Sequence, residues 1–248
     1  MGGGAGGVGG SGGSPPYNPC PKTGDPCRVM PLGDSITDSG GSSTGAAYRL
    51  ELFRLSLMHQ KKLTFVGSHQ SGPTTVDIDN TPFPRSQEGH SGYTIDDSTG
   101  NSPRMGLYPR IVGWLNATPP DIITLMIGTN DIDTQFDLAN APQRLGLLLD
   151  RIATTAPSAL IVLAQMVPTK DDTENQRVQA YNAAMPALVK ARADAGKHVI
   201  LVDMYGALTQ NPDYKTAYMN DNLHPKDAGL AVMANTWYAA IGDLLPAK

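Results

Sequence analysis

Val29-Met30-Pro31-Leu32-Gly33-Asp34-Ser35-Ile36-Thr37-Asp38 begins as a short apolar run, stops at a glycine and continues polar. The run is too short for a helix and is closed by Gly, so 29–32 reads as a buried strand and the residues behind it as the loop at its carboxyl end. The same rhythm recurs outward from it. Strands are predicted over 63–66, 121–127, 160–165 and 198–203. Helical periodicity fills the intervals: 46–61, with Leu50, Phe53 and Leu57 on one stripe, then 106–115, 138–154, 173–195 and 225–245. Strand and helix in alternation predict an α/β fold, a parallel sheet with helices on both faces. The polar stretch 67–103 breaks the rhythm and is predicted to be a long loop with little structure. Loops of that length are uncommon in compact domains, which makes it a functional suspect.

The chain has 248 residues, of which 27 are Gly and 20 Pro. Nine of those glycines fall between Gly2 and Gly13, among side chains too small to build a core, so that segment reads as linker. The expected division is a Gly/Pro-rich linker over 1–27 and one domain over 28–248. Lys and Arg number 19 against 23 Asp and Glu, for a formal charge of −4. That balance excludes a surface built to neutralise many phosphates, so nucleic acid is not an expected partner. No apolar run approaches the roughly 18 residues of a spanning helix.

The start Met-Gly-Gly-Gly has neither the basic nor the apolar region of a signal peptide, and a Gly-rich stretch directly behind an initiator Met suggests that a secretion signal has been trimmed away. Cys20 and Cys27 are the two cysteines, separated by the turn-rich Pro-Lys-Thr-Gly-Asp-Pro. A disulfide and an extracytoplasmic location are favoured, with a metal pair or two free thiols as alternatives. A monomer is the favoured oligomeric state.

In a parallel sheet, ligands bind beyond the carboxyl ends of the strands. Gly33-Asp34-Ser35-Ile36 follows the first strand, Gly128-Thr129-Asn130-Asp131 the third, and Asp221-Asn222-Leu223-His224-Pro225 precedes the last helix. Together they offer a hydroxyl, an imidazole, a carboxylate and an amide, the groups that acyl transfer requires. Two other matches are set aside. Gly9–Gly13 fits G-x-S-x-G and Gly2–Gly7 fits G-x-G-x-x-G, but neither follows a strand or opens a helix. Asp131-x-Asp133-x-x-x-Asp137 imitates the opening of a calcium loop without its sixth-position Gly or twelfth-position Glu. Neither a metal nor a cofactor is expected.

Gly33-Asp34-Ser35-Ile36, Gly92, Gly128-Thr129-Asn130-Asp131 and Asp221-x-x-His224 occur in the order of the SGNH (GDSL-type) hydrolases, which the chain resembles over about 28–245. Within that superfamily, Met30-Pro31-Leu32-Gly33-Asp34-Ser35-Ile36-Thr37-Asp38, Glu88-Gly89-His90-Ser91-Gly92-Tyr93-Thr94-Ile95 and Asp221-Asn222-Leu223-His224-Pro225 are similar to carbohydrate esterase family 3, which contains acetylxylan esterases. The resemblance implies a flavodoxin-like three-layer sandwich with five parallel strands and metal-free serine hydrolysis. It implies Ser35 as nucleophile, His224 as base and Asp221 as the carboxylate that orients it. The implied oxyanion donors are the Ser35 and Gly92 backbone N–H groups and the Asn130 side chain, with Gly89 a neighbouring alternative to Gly92.

Asp34 and Asp131 are expected to hold loop amides. His90 borders the site as either loop structure or a substrate contact. Tyr93, Tyr108 and Trp114 are candidates for a single sugar contact, and Tyr48 and Arg49 are expected to be solvent-facing or ion-paired. The expected reaction is hydrolysis of a short acyl ester, an acetyl group on xylan or another sugar, through an acyl-Ser35 intermediate. It should slow as His224 takes up a proton in the acid range. A broad short-chain carboxylesterase, lipase or thioesterase is the alternative enzyme, and an inactive carbohydrate-binding module the alternative of another class.

Overall fold

The computed structural model describes residues 17–22, 24–99 and 103–248. The glycine-rich linker at 2–13 lies outside the described residues. The strand β1 (Cys27–Gly33) runs into a one-turn helix α1 (Ser35–Asp38), and α2 (Arg49–Met58) returns the chain to β2 (Leu63–Phe65). Two short strands follow, β3 (His69–Gln70) and β4 (Ser86–Gly89). The order is completed by α3 (Ile111–Ala117), β5 (Ile122–Met126), α4 (Thr129–Asp133), α5 (Ala141–Thr155), β6 (Leu160–Ala164), α6 (Asp172–Asp194), β7 (Val199–Val202), α7 (Met204–Thr209), α8 (Tyr214–Ala217) and α9 (Asp227–Ile241).

The predicted apolar runs pair as parallel strands in the order β2-β1-β5-β6-β7. Every residue of β5 and β6 is buried. Parallel strands need that composition, because helices cover both of their faces. On one face α2 packs on α9, which also meets α7 and α8; on the other α3 packs on α5, and α5 on α6. The sheet is thus the flavodoxin-like α/β architecture, with its topological switch point between β1 and β5.

Within 67–103 the structure differs from the predicted loop. β4 pairs in parallel with the carboxyl half of β1, through Leu32↔Glu88 and Gly33↔Gly89, while β2 pairs with the amino half. β3 then pairs antiparallel with β4, so the sheet has seven strands rather than five. Its sequence, Ser-Gln-Glu-Gly, carries no apolar signal because Gln87 and Glu88 are buried as hydrogen-bonded polar side chains. Gln87 Nε2 donates to Asp38 Oδ1 (2.8 Å), and Glu88 accepts from the Ser68 backbone N–H (2.7 Å) and hydroxyl (2.8 Å). The helix predicted from residue 46 begins at Arg49, because Ala47 takes a positive φ of 49° that a helix does not tolerate.

Tyr48 and Arg49 are fully buried, contrary to the solvent-facing or ion-paired expectation. The Arg49 guanidinium donates to the Ser71 hydroxyl (2.6 Å) and the Arg85 carbonyl (3.2 Å), with no carboxylate in hydrogen-bond contact, and burial lowers its pKa to about 10. A ring of oxygen acceptors replaces the expected counter-ion.

Cys20 and Cys27 form a disulfide. The Tyr17 ring stacks on His198 and Asn18 Nδ2 donates to the Leu244 carbonyl (3.0 Å), so the chain before β1 docks beside β7. Closing so short a loop stabilises the fold by about 2.5 kcal/mol in the chain-entropy account.

Candidate active site

Ser35 stands where β1 turns into α1. A Cβ on Gly33 would lie 2.4 Å from the Met126 carbonyl oxygen, so only glycine permits so tight an exit from the sheet. Asp34 caps the helix, its Oδ1 accepting from the Ile36 N–H (3.0 Å), and burial pushes its carboxyl pKa up against the pull of Thr129, the Ile36 N–H and His224. The Ser35 Oγ lies 2.9 Å from His224 Nε2, and His224 Nδ1 lies 3.0 and 3.1 Å from the two oxygens of Asp221. With Nε2 accepting the Ser35 proton, Nδ1 carries the ring hydrogen and donates it to Asp221.

The Asp221-x-x-His224 spacing serves the turn as well as the ring. Asp221 Oδ1 accepts from the backbone N–H groups of Leu223 and His224, each at 2.8 Å. Partial burial acts to raise the Asp221 pKa, but these two amides and the imidazole outweigh it and hold the carboxyl below its ordinary range. The carboxylate therefore stays ionised while it orients the ring.

The segments that carry the expected oxyanion donors are tied to one another by hydrogen bonds. Asn130 lies in α4, directly beyond β5, and its Nδ2 donates to the Tyr93 carbonyl (2.8 Å). Gly92 precedes Tyr93 and adopts a φ of +83°. Among the described residues, the backbone N–H groups of Ser35 and Gly92 have no protein acceptor. Gly89, the alternative, lies within β4 and donates its N–H to Gln87 Oε1. The Ser91 hydroxyl donates to Asp38 Oδ2 (2.8 Å), which fastens the Gly92 turn to the helix that Ser35 opens.

Asp131 holds a loop amide as expected: its Oδ2 accepts from the Ile95 N–H (3.1 Å). Its Oδ1 is taken by Arg144 (2.6 Å), which also binds Asp96 (2.6 Å), so Asp131 is occupied by the loop and the guanidinium. Burial pushes the Asp131 carboxyl up to about 6, although Arg144 pulls it down.

His90 does not face the site. Its Nε2 meets Glu88 Oε1 at 2.7 Å, and its ring stacks on Trp114 and Tyr93, with centroids 4.2 and 4.7 Å away. The sugar-contact candidates are engaged too. Trp114 is spent on His90, the Arg110 guanidinium lies over Tyr93, and that of Arg151 lies 4.5 Å from the Tyr108 centroid.

Three residues at the site escaped the reading of the sequence. A Cβ on Gly40 would fall 2.4 Å from His224 Cδ2, and one on Gly41 would collide with the Pro225 carbonyl, so this pair makes room for the imidazole. The adjacent glycines just after the Ser35 turn were a visible signal. Arg104, which bonds both Asn130 Oδ1 (3.1 Å) and the Gly92 carbonyl (3.3 Å), left none, because its partners are distant in sequence.

Residues 32–232 match the GDSL-like Lipase/Acylhydrolase family. Among proteins of known structure, a Clostridium thermocellum family 3 carbohydrate esterase is 31% identical, covers 89% of this chain and 98% of its own, and superposes with a TM-score of 0.72. A multidomain esterase of Ruminococcus flavefaciens is 28% identical over 89% of this chain, and an Acetivibrio thermocellus protein that bears an endoglucanase name is 34% identical over 55% of it. The chain spans 29% and 57% of those two proteins, respectively. With a match that runs from β1 into α9, the chain belongs to the GDSL-like lipase/acylhydrolase family, the SGNH type of carboxylic ester hydrolases.

Proposed function

We propose that this chain deacetylates sugars, xylan among them, through an acetyl-Ser35 intermediate. The observation that carries the reading is the unbroken line from Ser35 Oγ through His224 to Asp221, at 2.9 and 3.0 Å. Ser35 Oγ attacks the ester carbonyl carbon as its proton passes to His224 Nε2. The carbonyl oxygen becomes an oxyanion that accepts hydrogen bonds from the Ser35 and Gly92 N–H groups and from the Asn130 amide. His224 then gives its proton to the departing sugar oxygen, leaving acetyl-Ser35. Water, deprotonated by His224, attacks the acetyl carbon, releases acetate and restores the Ser35 hydroxyl.

Short acyl groups and a carbohydrate alcohol fit the surroundings. Among the described residues of 67–103 no large apolar side chain is left exposed, and just beyond that stretch only Met105 is, whereas a lipid substrate calls for an extended apolar surface. The likeness to a carbohydrate esterase supports a sugar on the alcohol side. An endoglucanase reading is disfavoured, because glycoside hydrolysis ordinarily uses two carboxylates across the scissile bond, while Ser35 faces an imidazole. Export from the cytoplasm is part of the proposal, supported by the Cys20–Cys27 disulfide, as is a tether role for the glycine-rich 2–13; the expected linker boundary at 27 is too late, because Tyr17 and Asn18 dock on the domain and Cys27 opens β1.

The deciding experiment compares kcat/KM for acetylated xylo-oligosaccharide with that for p-nitrophenyl butyrate. A value at least about tenfold higher for the acetylated sugar is expected, about 1.4 kcal/mol of transition-state preference. Equal values, or a preference for butyrate, would replace the proposal with a broad short-chain esterase.

A further inference from the structure

We propose that Arg104 is a positioning residue that fixes and strengthens the Asn130 amide as a donor to the oxyanion. The proposal rests on the reading of Asn130 as such a donor. One guanidinium nitrogen, Nη1, bridges Asn130 Oδ1 at 3.1 Å and the Gly92 carbonyl at 3.3 Å. The helix that carries the side-chain donor and the turn that carries one backbone donor are therefore joined by a single cation. The carboxylate nearest Arg104 is Asp133, 3.9 Å away with both side chains partly exposed, a separation at which an ion pair contributes little. The hydrogen bonds of the Arg104 guanidinium are the ones it makes at the site.

Their effect follows from the chemistry of the amide. Asn130 has two N–H bonds on Nδ2; one donates to the Tyr93 carbonyl, and the other has no protein acceptor among the described residues. Turned over, the amide would set Oδ1 against the Tyr93 carbonyl and its NH₂ against the guanidinium, so both neighbours enforce the orientation that offers an N–H. A cationic donor on Oδ1 also draws electron density toward the oxygen and makes the Nδ2 hydrogens better donors, as in any polarised hydrogen-bond chain. Tyr93 can hold the amide in place; the charge that polarises it comes from Arg104.

Arg104→Met and Arg104→Lys test this in the full chain, each made alone and with Asn130→Ala, with kcat and KM measured on p-nitrophenyl acetate. Thermal unfolding and covalent labelling of Ser35 by a fluorophosphonate are followed in the same preparations. Arg104→Met should lower kcat by about tenfold with KM within about twofold, and Arg104→Lys should recover much of the loss. In the Asn130→Ala background the same substitution should cost less than about threefold, because the group it acts through is gone. An equal loss in both backgrounds, a change confined to KM, or an unchanged kcat would overturn the proposal. If wild-type protein is active but carries no label on Ser35, the underlying hydrolase reading fails; if Ser35 is labelled and Arg104→Met keeps full kcat, the role of Arg104 alone is dismissed.

Discussion

Two corners of the molecule hold a histidine against a carboxylate, and they do different things. At one, His90 meets Glu88 with side-chain exposures of 6% and 0%; at the other, His224 meets Asp221 with exposures of 23% and 52%. His90 has ring faces stacked on Trp114 and Tyr93, and its carboxylate is shared with Ser68. His224 has the Ser35 hydroxyl on its second nitrogen and glycines at its edge. A histidine–carboxylate pair is therefore ambiguous by itself. The second ring nitrogen, its partner and its access to solvent decide whether the pair is machinery or scaffold.

The largest effect expected is at the second corner. Ser35→Ala should reduce kcat by about 10⁴-fold or more, measured on p-nitrophenyl acetate, without lowering the unfolding temperature. Asn130→Ala should lower kcat by roughly a hundredfold, about 3 kcal/mol of lost oxyanion stabilisation. The first corner should respond in stability instead. His90→Gln keeps a donor within reach of Glu88 but removes the ring stacked on Trp114 and Tyr93, costing about 1–2 kcal/mol, or about 2–8 °C in the unfolding temperature. Its kcat should stay within about tenfold of wild type, since the His90 ring is buried against Glu88, Trp114 and Tyr93. A His90→Gln protein that unfolds normally but has lost turnover would erase the distinction between the corners.

The smallest effect concerns acid stability. The folded-state pKa of Asp221 lies below its ordinary value, so its contribution to stability is present above the ordinary carboxylate range and is lost as pH falls through the folded value. The difference in urea midpoint between wild type and Asp221→Asn should accordingly be present at pH 7 and shrink as the pH is lowered past the ordinary carboxylate range. A difference that grows on acidification would contradict the sign.

The two corners also differ in how far the sequence revealed them. The strands behind Ser35 and Asn130 were legible because both faces of β1 and β5 are buried, which leaves apolar runs ended by glycine. The segments that hold Ser35, Asn130, Asp221 and His224 stood out beyond those strands and before the last helix, and the resemblance to the SGNH hydrolases assigned the residues their roles. β4 was not legible, because Gln87 and Glu88 are buried with polar partners, and a period of apolar residues never appears. For the same reason Arg49 looked like a surface residue although carbonyl oxygens surround it. Arg104 stayed hidden because its significance depends on Gly92 and Asn130 arriving beside it in the fold.

The central claim is that Ser35, activated by His224, is the nucleophile. Incubation of the wild-type chain with a fluorophosphonate, followed by peptide mass mapping, tests it most directly. One adduct on the peptide containing Ser35, lost in Ser35→Ala and greatly slowed in His224→Ala, is the expected result. No adduct, or an adduct on another residue, would contradict it.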